Sequence, residues 1–271
     1  MANEASVAVF DSGIGGLTVV SALRRALPHE SIVYLGDTAR VPYGGKSRET
    51  IERYSEEIAR LLVGEGAKVV VVACNSASAL GLPRLRQTLT VPVEGVIEPG
   101  VAAALTATTS GHVAVIGTKA TIGSGAYERS LRAVRPDVRV TSMACPLLVP
   151  LIEEGLLDDP VTDAVLERYL APLGQTDVDT LVLGCTHYPL LAPAIARAVG
   201  PSIRLVDSAA NCAEAVGRLL SERGLEAPAT AAGSLSLGFT DPPDRFLEVA
   251  GQALGLDTAA VSVRAVPPLG Q

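Results

Sequence analysis

Two cysteines carry the pattern with the most chemical content. Cys74 follows the apolar run VVVVA at 69–73, and Cys185 follows LVLG at 181–184. Each stands directly after a predicted strand and before a polar residue, Asn75 or Thr186. A helix is expected to start after each, where backbone N–H groups favour a thiolate. Two thiols on opposite walls of a cleft suit proton transfer at a single carbon. A thiolate removes a proton from one face, and the other thiol returns one to the opposite face. Inverting a stereocentre needs this pair, because a single base returns the proton to the side it came from. Free cysteine titrates with a pKa of ~8.5, so each thiol needs a tuning neighbour. The candidates are Asp11, at the end of the first strand, and His187, two residues beyond Cys185. The alternatives are a helix cap for Asp11 and a satisfied polar side chain for His187. Glu154, in LIEEGLL, reads from sequence alone as an ordinary solvated helix charge. Cys145, in SMACPLL, and Cys212, on a helical stripe with Val216 and Leu219, read as small buried hydrophobes. No C-x-x-C or H-x₃₋₅-H spacing exists, which argues against a structural metal site.

The segment Asp11-Ser12-Gly13-Ile14-Gly15-Gly16 offers a rival chemistry. A glycine-rich turn follows a strand and opens a helix, and Asp37 ends the next strand, as in a dinucleotide-binding unit. Counting G-x-G-x-x-G from Gly13 puts Thr18 where the third glycine belongs, and Asp11 would lie close to a pyrophosphate. The cofactor signal is weak.

These side chains need a frame. Ser6–Phe10, Ile32–Leu35, Val69–Ala73, Val113–Ile116, Val138–Thr141 and Leu181–Leu183 read as strands, several of them apolar on both faces. Helical spacing connects Ile51, Tyr54, Ile58, Leu61 and Leu62, and again Cys212, Val216, Leu219 and Leu220. The alternation predicts right-handed crossovers and an α/β fold with doubly wound parallel sheets, whose ligands sit beyond the strands' carboxyl ends. An internal repeat is visible. VAVFDSGIGG and VAVIGTKATI are offset by 106 residues, and Cys74 and Cys185 by 111. Duplicated α/β units with facing strand-end sites are the physical reading. Pro92 and Glu98-Pro99-Gly100 suggest a break after the first half, and the second half is expected to finish near Val206–Asp207. Beyond it come a polar stretch at Ala227–Ser234, a last strand at Ser236–Phe239 and a last helix, with a frayed tail at Pro267–Gln271.

The 271 residues are 48% hydrophobic and 19% charged, enough for a proper core and for about two domains. Net charge is −7, and the aromatics are six Tyr and three Phe, with no Trp. Such a chain is a poor ligand for nucleic acid or for an anionic membrane surface. No apolar run approaches the roughly 18 residues of a membrane span, and the start MANEASVAVFDSG lacks a signal-peptide pattern. Four cysteines are too few for a disulfide framework, so the expected location is cytoplasmic with reduced thiols.

The motifs FDSGIGGLTV at 10–19, GDTARVPYGGKS at 36–47, ACNSASA at 73–79, GVIEPG at 95–100, GTKATI at 117–122 and GCTHYPLL at 184–191 occur in this order. Together they resemble the cofactor-independent aspartate/glutamate racemase family, on its glutamate racemase side, across nearly the whole chain. The resemblance implies two α/β domains with pseudo-twofold symmetry and an active site in the cleft between them. Their expected extents are residues 1–99 with 210–271, and residues 100–209. It implies interconversion of L-glutamate and D-glutamate without pyridoxal phosphate or metal, supplying peptidoglycan synthesis and hence cell-wall biogenesis and cell shape. Carried over residue by residue, it makes Cys74 and Cys185 the acid/base thiols, with Asp11 assisting Cys74 and His187 and Glu154 assisting Cys185. Asp11, Ser12, Tyr43, Gly44, Asn75, Ser76, Thr118, Thr121, Thr186 and His187 would contact substrate. The family more often has Thr at the position of Ser76, so a methyl group is missing there while the hydroxyl is kept. Aspartate racemases usually carry Glu at the position of His187, which favours glutamate. Oligomeric state varies in the family, and a homodimer is among the states it allows. The runners-up are an aspartate racemase or related two-thiol epimerase, and a non-catalytic binding protein.

Overall fold

Val7, Val9, Val69 and Val71 face one hydrophobic core while Ala8, Phe10, Val70 and Val72 face another. This is what a strand of period two must do when both of its faces are covered. In the computed structural model, which describes residues 5–241, 251 and 262–265, these runs are central strands of a parallel sheet. In chain order the strands are β1 (Val7–Asp11), β2 (Ile32–Gly36), β3 (Val69–Val72), β4 (Val93–Gly95), β5 (His112–Gly117), β6 (Arg139–Ala144), β7 (Thr180–Gly184), β8 (Arg204–Asp207), β9 (Leu235–Phe239) and β10 (Ser262–Ala265). They form two sheets, ordered β10-β9-β2-β1-β3-β4 and β6-β5-β7-β8, and every pairing is parallel.

The four common strands have one order. By position in each half, β2-β1-β3-β4 and β6-β5-β7-β8 both run second, first, third, fourth. β3 and β7 are therefore equivalent, and Cys74 and Cys185 each follow one of them. The register makes the same point, since Phe10 pairs with Val72 while Ile116 pairs with Leu183.

Each hydrophobic core draws on both sheets. One includes Val9, Leu23, Val216, Ile116 and Leu183, the other Phe10, Ile58, Val115 and Val182. Full burial of one such side chain contributes roughly 1.5–3 kcal/mol, so the halves are held by a large apolar surface. Helix Ser208–Arg223, which returns the chain from β8, packs against Leu17–Ala26 and Ile97–Ala107. Its stripe of Cys212, Val216 and Leu220 is buried.

The structure departs from the sequence reading in places. Glu98-Pro99-Gly100 lies inside helix Ile97–Ala107 rather than breaking the chain. Pro99 is the third residue there, where the N–H has no intrahelical partner to lose. β4 was not expected, and Ser236–Phe239 is not the last strand, because β10 adds outside β9. The expected last helix and the tail 267–271 fall outside the described residues. Among the described residues no helix is long and apolar enough to cross a membrane.

Candidate active site

The carboxyl ends of β1, β3, β5 and β7 converge on one cleft. It is lined by Ser12, Tyr43, Gly44, Cys74, Asn75, Ser76, Thr118, Cys185, Thr186 and His187, together with Val41, Pro42 and Val149. Strand-end convergence is the reason these residues meet, since parallel strands end on the same edge of their sheet.

Cys74 caps helix Asn75–Leu80 and is 5% exposed. Burial, and then the negative field of Asp11, push its thiol up to about 12, while the Ala77 amide and the Ser12 hydroxyl pull the other way. Cys74 is thus held as a proton donor at neutral pH. Asp11 is fully buried at the end of β1, and burial raises its carboxyl above the usual range against the opposing His187 charge and backbone N–H groups. Its Oδ2 accepts from the Gly16 N–H at 3.0 Å and the Gly13 N–H at 3.4 Å. The Thr186 hydroxyl reaches Oδ1 at 3.5 Å. Asp11 therefore braces the glycine turn and faces the catalytic candidates at once.

Cys185 has a different neighbourhood. No α-helix starts directly after it; the chain takes a 3-10 turn at Tyr188–Leu191, with Pro189 in its first turn. His187 fills the role instead, with Nδ1 3.8 Å from the sulfur. Its Nε2 lies 3.1 Å from Glu153 Oε1. Burial opposes an imidazolium, but the contacts with Cys185 and Glu153 and the fields of Cys185 and Asp11 outweigh it. His187 rises to about 10 and carries a proton at neutral pH.

Glu154 is not the carboxylate on His187. It is the C-cap of helix Leu148–Glu153, and consecutive helical side chains point about 100° apart; the carboxylate on Nε2 is that of Glu153. Thr121 is also outside the lining, one layer behind Thr118. Ser76 Oγ lies 2.9 Å from Thr118 Oγ1 and 3.2 Å from Thr121 Oγ1, and the two threonine hydroxyls are 3.1 Å apart. This hydroxyl triad joins the two halves across the cleft.

The glycines are used for close approach rather than for a phosphate. A Cβ on Gly15 would stand 2.6 Å from both His187 Cε1 and Thr186 Oγ1, and one on Gly44 would stand 2.7 Å from Thr118 Cβ. Asp37, which would hold a ribose in the dinucleotide reading, is fully buried. It accepts from the Tyr43 hydroxyl, from Arg40 Nε at 2.7 Å and from Thr240 Oγ1 at 2.9 Å. Arg40 turns away from the cleft, paired to Asp37 and Glu57 and stacked 3.9 Å over Tyr54. Among the described residues that line the cleft, His187 carries the positive charge, and the remaining donors are hydroxyls, amides and thiols. The apolar wall of Val41, Pro42 and Val149 was missed by sequence reasoning, although Val41 and Pro42 lie inside the GDTARVPYGGKS motif. Cys145 and Cys212 are buried in the core, away from this lining.

With the cleft described, comparison with known proteins places it in a family. The Asp/Glu/Hydantoin racemase family model matches residues 17–216. A glutamate racemase of Geobacter metallireducens is 49% identical over 250 residues, covering 92% of this chain and 93% of that one. The crystal structure of a glutamate racemase isoform from Bacillus anthracis superposes with a TM-score of 0.92 at 38% identity, covering 97% and 98% of the two chains. That of the Francisella tularensis glutamate racemase, in complex with D-glutamate, gives a TM-score of 0.89 at 33% identity, with 98% of each chain covered. The paired strand-end cysteines and their shared cleft thus lie in a chain that belongs to the Asp/Glu/hydantoin racemase family, and its full-length likeness within that family is to glutamate racemases.

Proposed function

We propose that this enzyme interconverts L-glutamate and D-glutamate by two-base proton transfer at Cα, with Cys74 and Cys185 as the acid/base pair. One observation carries the reading: two buried thiols end equivalent strands of two sheets with the same strand order and line one cleft. The asymmetry of their surroundings supports a direction. Protonated His187 lies 3.8 Å from Cys185, where its charge would favour that sulfur as the base, while Cys74 is kept as a thiol. In this state Cys185 takes the α-proton of L-glutamate, the bonding pair stays on Cα, and the Cys74 thiol delivers a proton to the opposite face. The product is D-glutamate, with Cys74 now the thiolate and Cys185 the thiol, which is the state that runs the reverse reaction. The assignment of faces follows the family resemblance.

Ser12, Ser76, Thr118, Thr186, Asn75 and the Gly44 backbone would hold the two carboxylates by hydrogen bonds, without an arginine clamp. Tyr43 and His187 complete the substrate contacts, Asp11 would act from beneath the lining through Thr186 and the glycine turn, and Thr121 supports Thr118 from behind. Glu153, in place of Glu154, would sustain the His187 charge. The walls of the cleft would belong to two domains, residues 1–99 with 210–271 and residues 100–209. Reduced thiols fit a cytoplasmic enzyme whose D-glutamate feeds peptidoglycan synthesis, and through it cell-wall biogenesis and cell shape. The relative bound to D-glutamate supports the substrate.

The test is to incubate the pure protein with L-glutamate and, separately, L-aspartate, with no added cofactor, while following optical rotation. Decay of rotation to zero for glutamate alone is expected. Decay for aspartate alone would overturn the substrate assignment.

A further inference from the structure

Tyr127 lies outside the cleft lining yet touches both of its halves. It stands in helix Ala126–Val134 and is 2% exposed. Its hydroxyl donates to Asn75 Oδ1 at 2.7 Å, and Asn75 directly follows Cys74. Its ring backs the other thiol, because a Cβ on Gly184, the residue before Cys185, would come 3.2 Å from Tyr127 Cε2. The hydroxyl also lies where both connections between the sheets cross. A Cβ on Gly100, in the outgoing helix, would be 3.6 Å from it, and Ser208 Oγ, at the start of the returning helix, is 3.4 Å away.

Proton accounting gives this contact a direction. A phenol has one O–H, and its two polar neighbours here are Asn75 and Ser208. With Ser208 donating to the phenol oxygen, the phenol proton goes to Asn75 Oδ1. The amide is then locked with Oδ1 toward Tyr127 and Nδ2 away from it. Among the described residues Nδ2 has no protein hydrogen-bond partner and is not sealed from solvent, and Asn75 lines the cleft.

We propose that Tyr127 is a positioning residue for the reaction: it fixes the Asn75 amide so that both Nδ2 protons are offered to a carboxylate oxygen of the substrate. Without the phenol, Asn75 turns over freely and presents its carbonyl oxygen to an anion about as readily as its donors. This inference rests on the cleft being an amino-acid racemase site.

Tyr127→Phe keeps the ring against Gly184 and removes only the hydroxyl. The expected result is a rise in KM for L-glutamate of about 3- to 10-fold, the range of one net hydrogen bond, with kcat changed less than about 2-fold. Asn75→Ala should raise KM as well, and adding Tyr127→Phe to it should raise KM no further, since the effect runs through that amide. Wild-type KM in Tyr127→Phe, wild-type KM in Asn75→Ala, or full additivity of the two overturns the inference while leaving the racemase reading intact. A wild-type protein that racemises no amino acid overturns both. A second measurement needs no variant of Tyr127: the Asn75 side-chain ¹⁵N signal of the wild type, assigned by its loss in Asn75→Ala, should shift on adding D-glutamate. An unmoved signal at saturating ligand overturns the proposal.

Discussion

Gly15 and His187 sit so close that no side chain fits between them. A Cβ at residue 15 would meet the His187 ring, with Cε1 2.6 Å away, and Thr186 Oγ1 at the same distance. The first glycine turn thus sets the depth at which the imidazole lies beside Cys185. Gly15→Ala should push the ring off the sulfur and lower kcat/KM for glutamate at least about 10-fold, or ~1.4 kcal/mol in the transition state. The thermal midpoint should move only modestly, because the strain is relieved into the cleft. Steady-state kinetics beside a melting curve would check this, and an unimpaired Gly15→Ala would show that the ring's position is unimportant.

His187 also predicts a pH dependence. Its pKa rises from 6.5 to about 10 on folding, so the stability contributed by its cation is complete below about pH 6.5 and is lost as pH climbs through about 10. Glu153→Gln removes one of the contacts holding the proton and should move the alkaline limb of the kcat/KM profile to lower pH. Glu154→Gln should leave that limb in place. Profiles of the two variants side by side would decide which carboxylate matters, and a shift in Glu154→Gln alone would reverse the assignment.

Cys74→Ser and Cys185→Ser should each abolish racemisation in both directions, because every turnover needs an acceptor and a donor. They should differ in D₂O. Each variant retains one base and should exchange the α-proton of one enantiomer only, L-glutamate for Cys74→Ser and D-glutamate for Cys185→Ser. Proton NMR of each enantiomer reads this out. Cys212→Ser, in the core and raised in pKa by burial, should alter stability more than rate. Substantial racemisation by either active-site serine variant would sink the two-thiol mechanism.

The opposite edge of the first sheet predicts stability without catalysis. Lys68 and Glu30, just before β3 and β2, form a buried pair at 2.6 Å with side chains 3% and 5% exposed. Lys68 Nζ also donates to the Leu225 carbonyl, and Glu30 Oε1 accepts from the Ala227 N–H, each at 2.7 Å. The pair fastens the segment leading to β9. Lys68→Met leaves an unpaired buried carboxylate and should cost about 3–5 kcal/mol in denaturant unfolding, part of it recovered in Lys68→Met/Glu30→Leu. Turnover per folded molecule should be unchanged, because both residues lie at the strand edge away from the cleft. A cost below about 1 kcal/mol would mean that the pair is dispensable.

Much of this was legible in the chain because of one physical constraint. A parallel strand buried on both faces must be a continuous apolar run, so VAVF, VVVV and LVL stand out, and the polar residues after them have to lie at the sheet's active edge. Hence Cys74, Cys185, Asp11 and His187 are recognisable from the chain alone. What lacks such a run escapes notice: β4 is three residues reading VEG, and β10 pairs only at the far edge.

Strand ends, the matching of the two thiols through the repeat and the family motifs are all local or periodic properties, which is why the amino-acid order contains them. The neighbours that tune the thiols are not of this kind and were settled by folding. Whether Glu153 or Glu154 meets His187 depends on where helix Leu148–Glu153 stops, a difference of one residue that periodicity does not resolve. That Cys74 is held as a thiol, that Asp37 and Arg40 neutralise each other away from the cleft, and that Tyr127 reaches Asn75 from 52 residues away all follow from burial and long-range contact. Those are properties of how the two sheets close on one another, and no stretch of chain contains them.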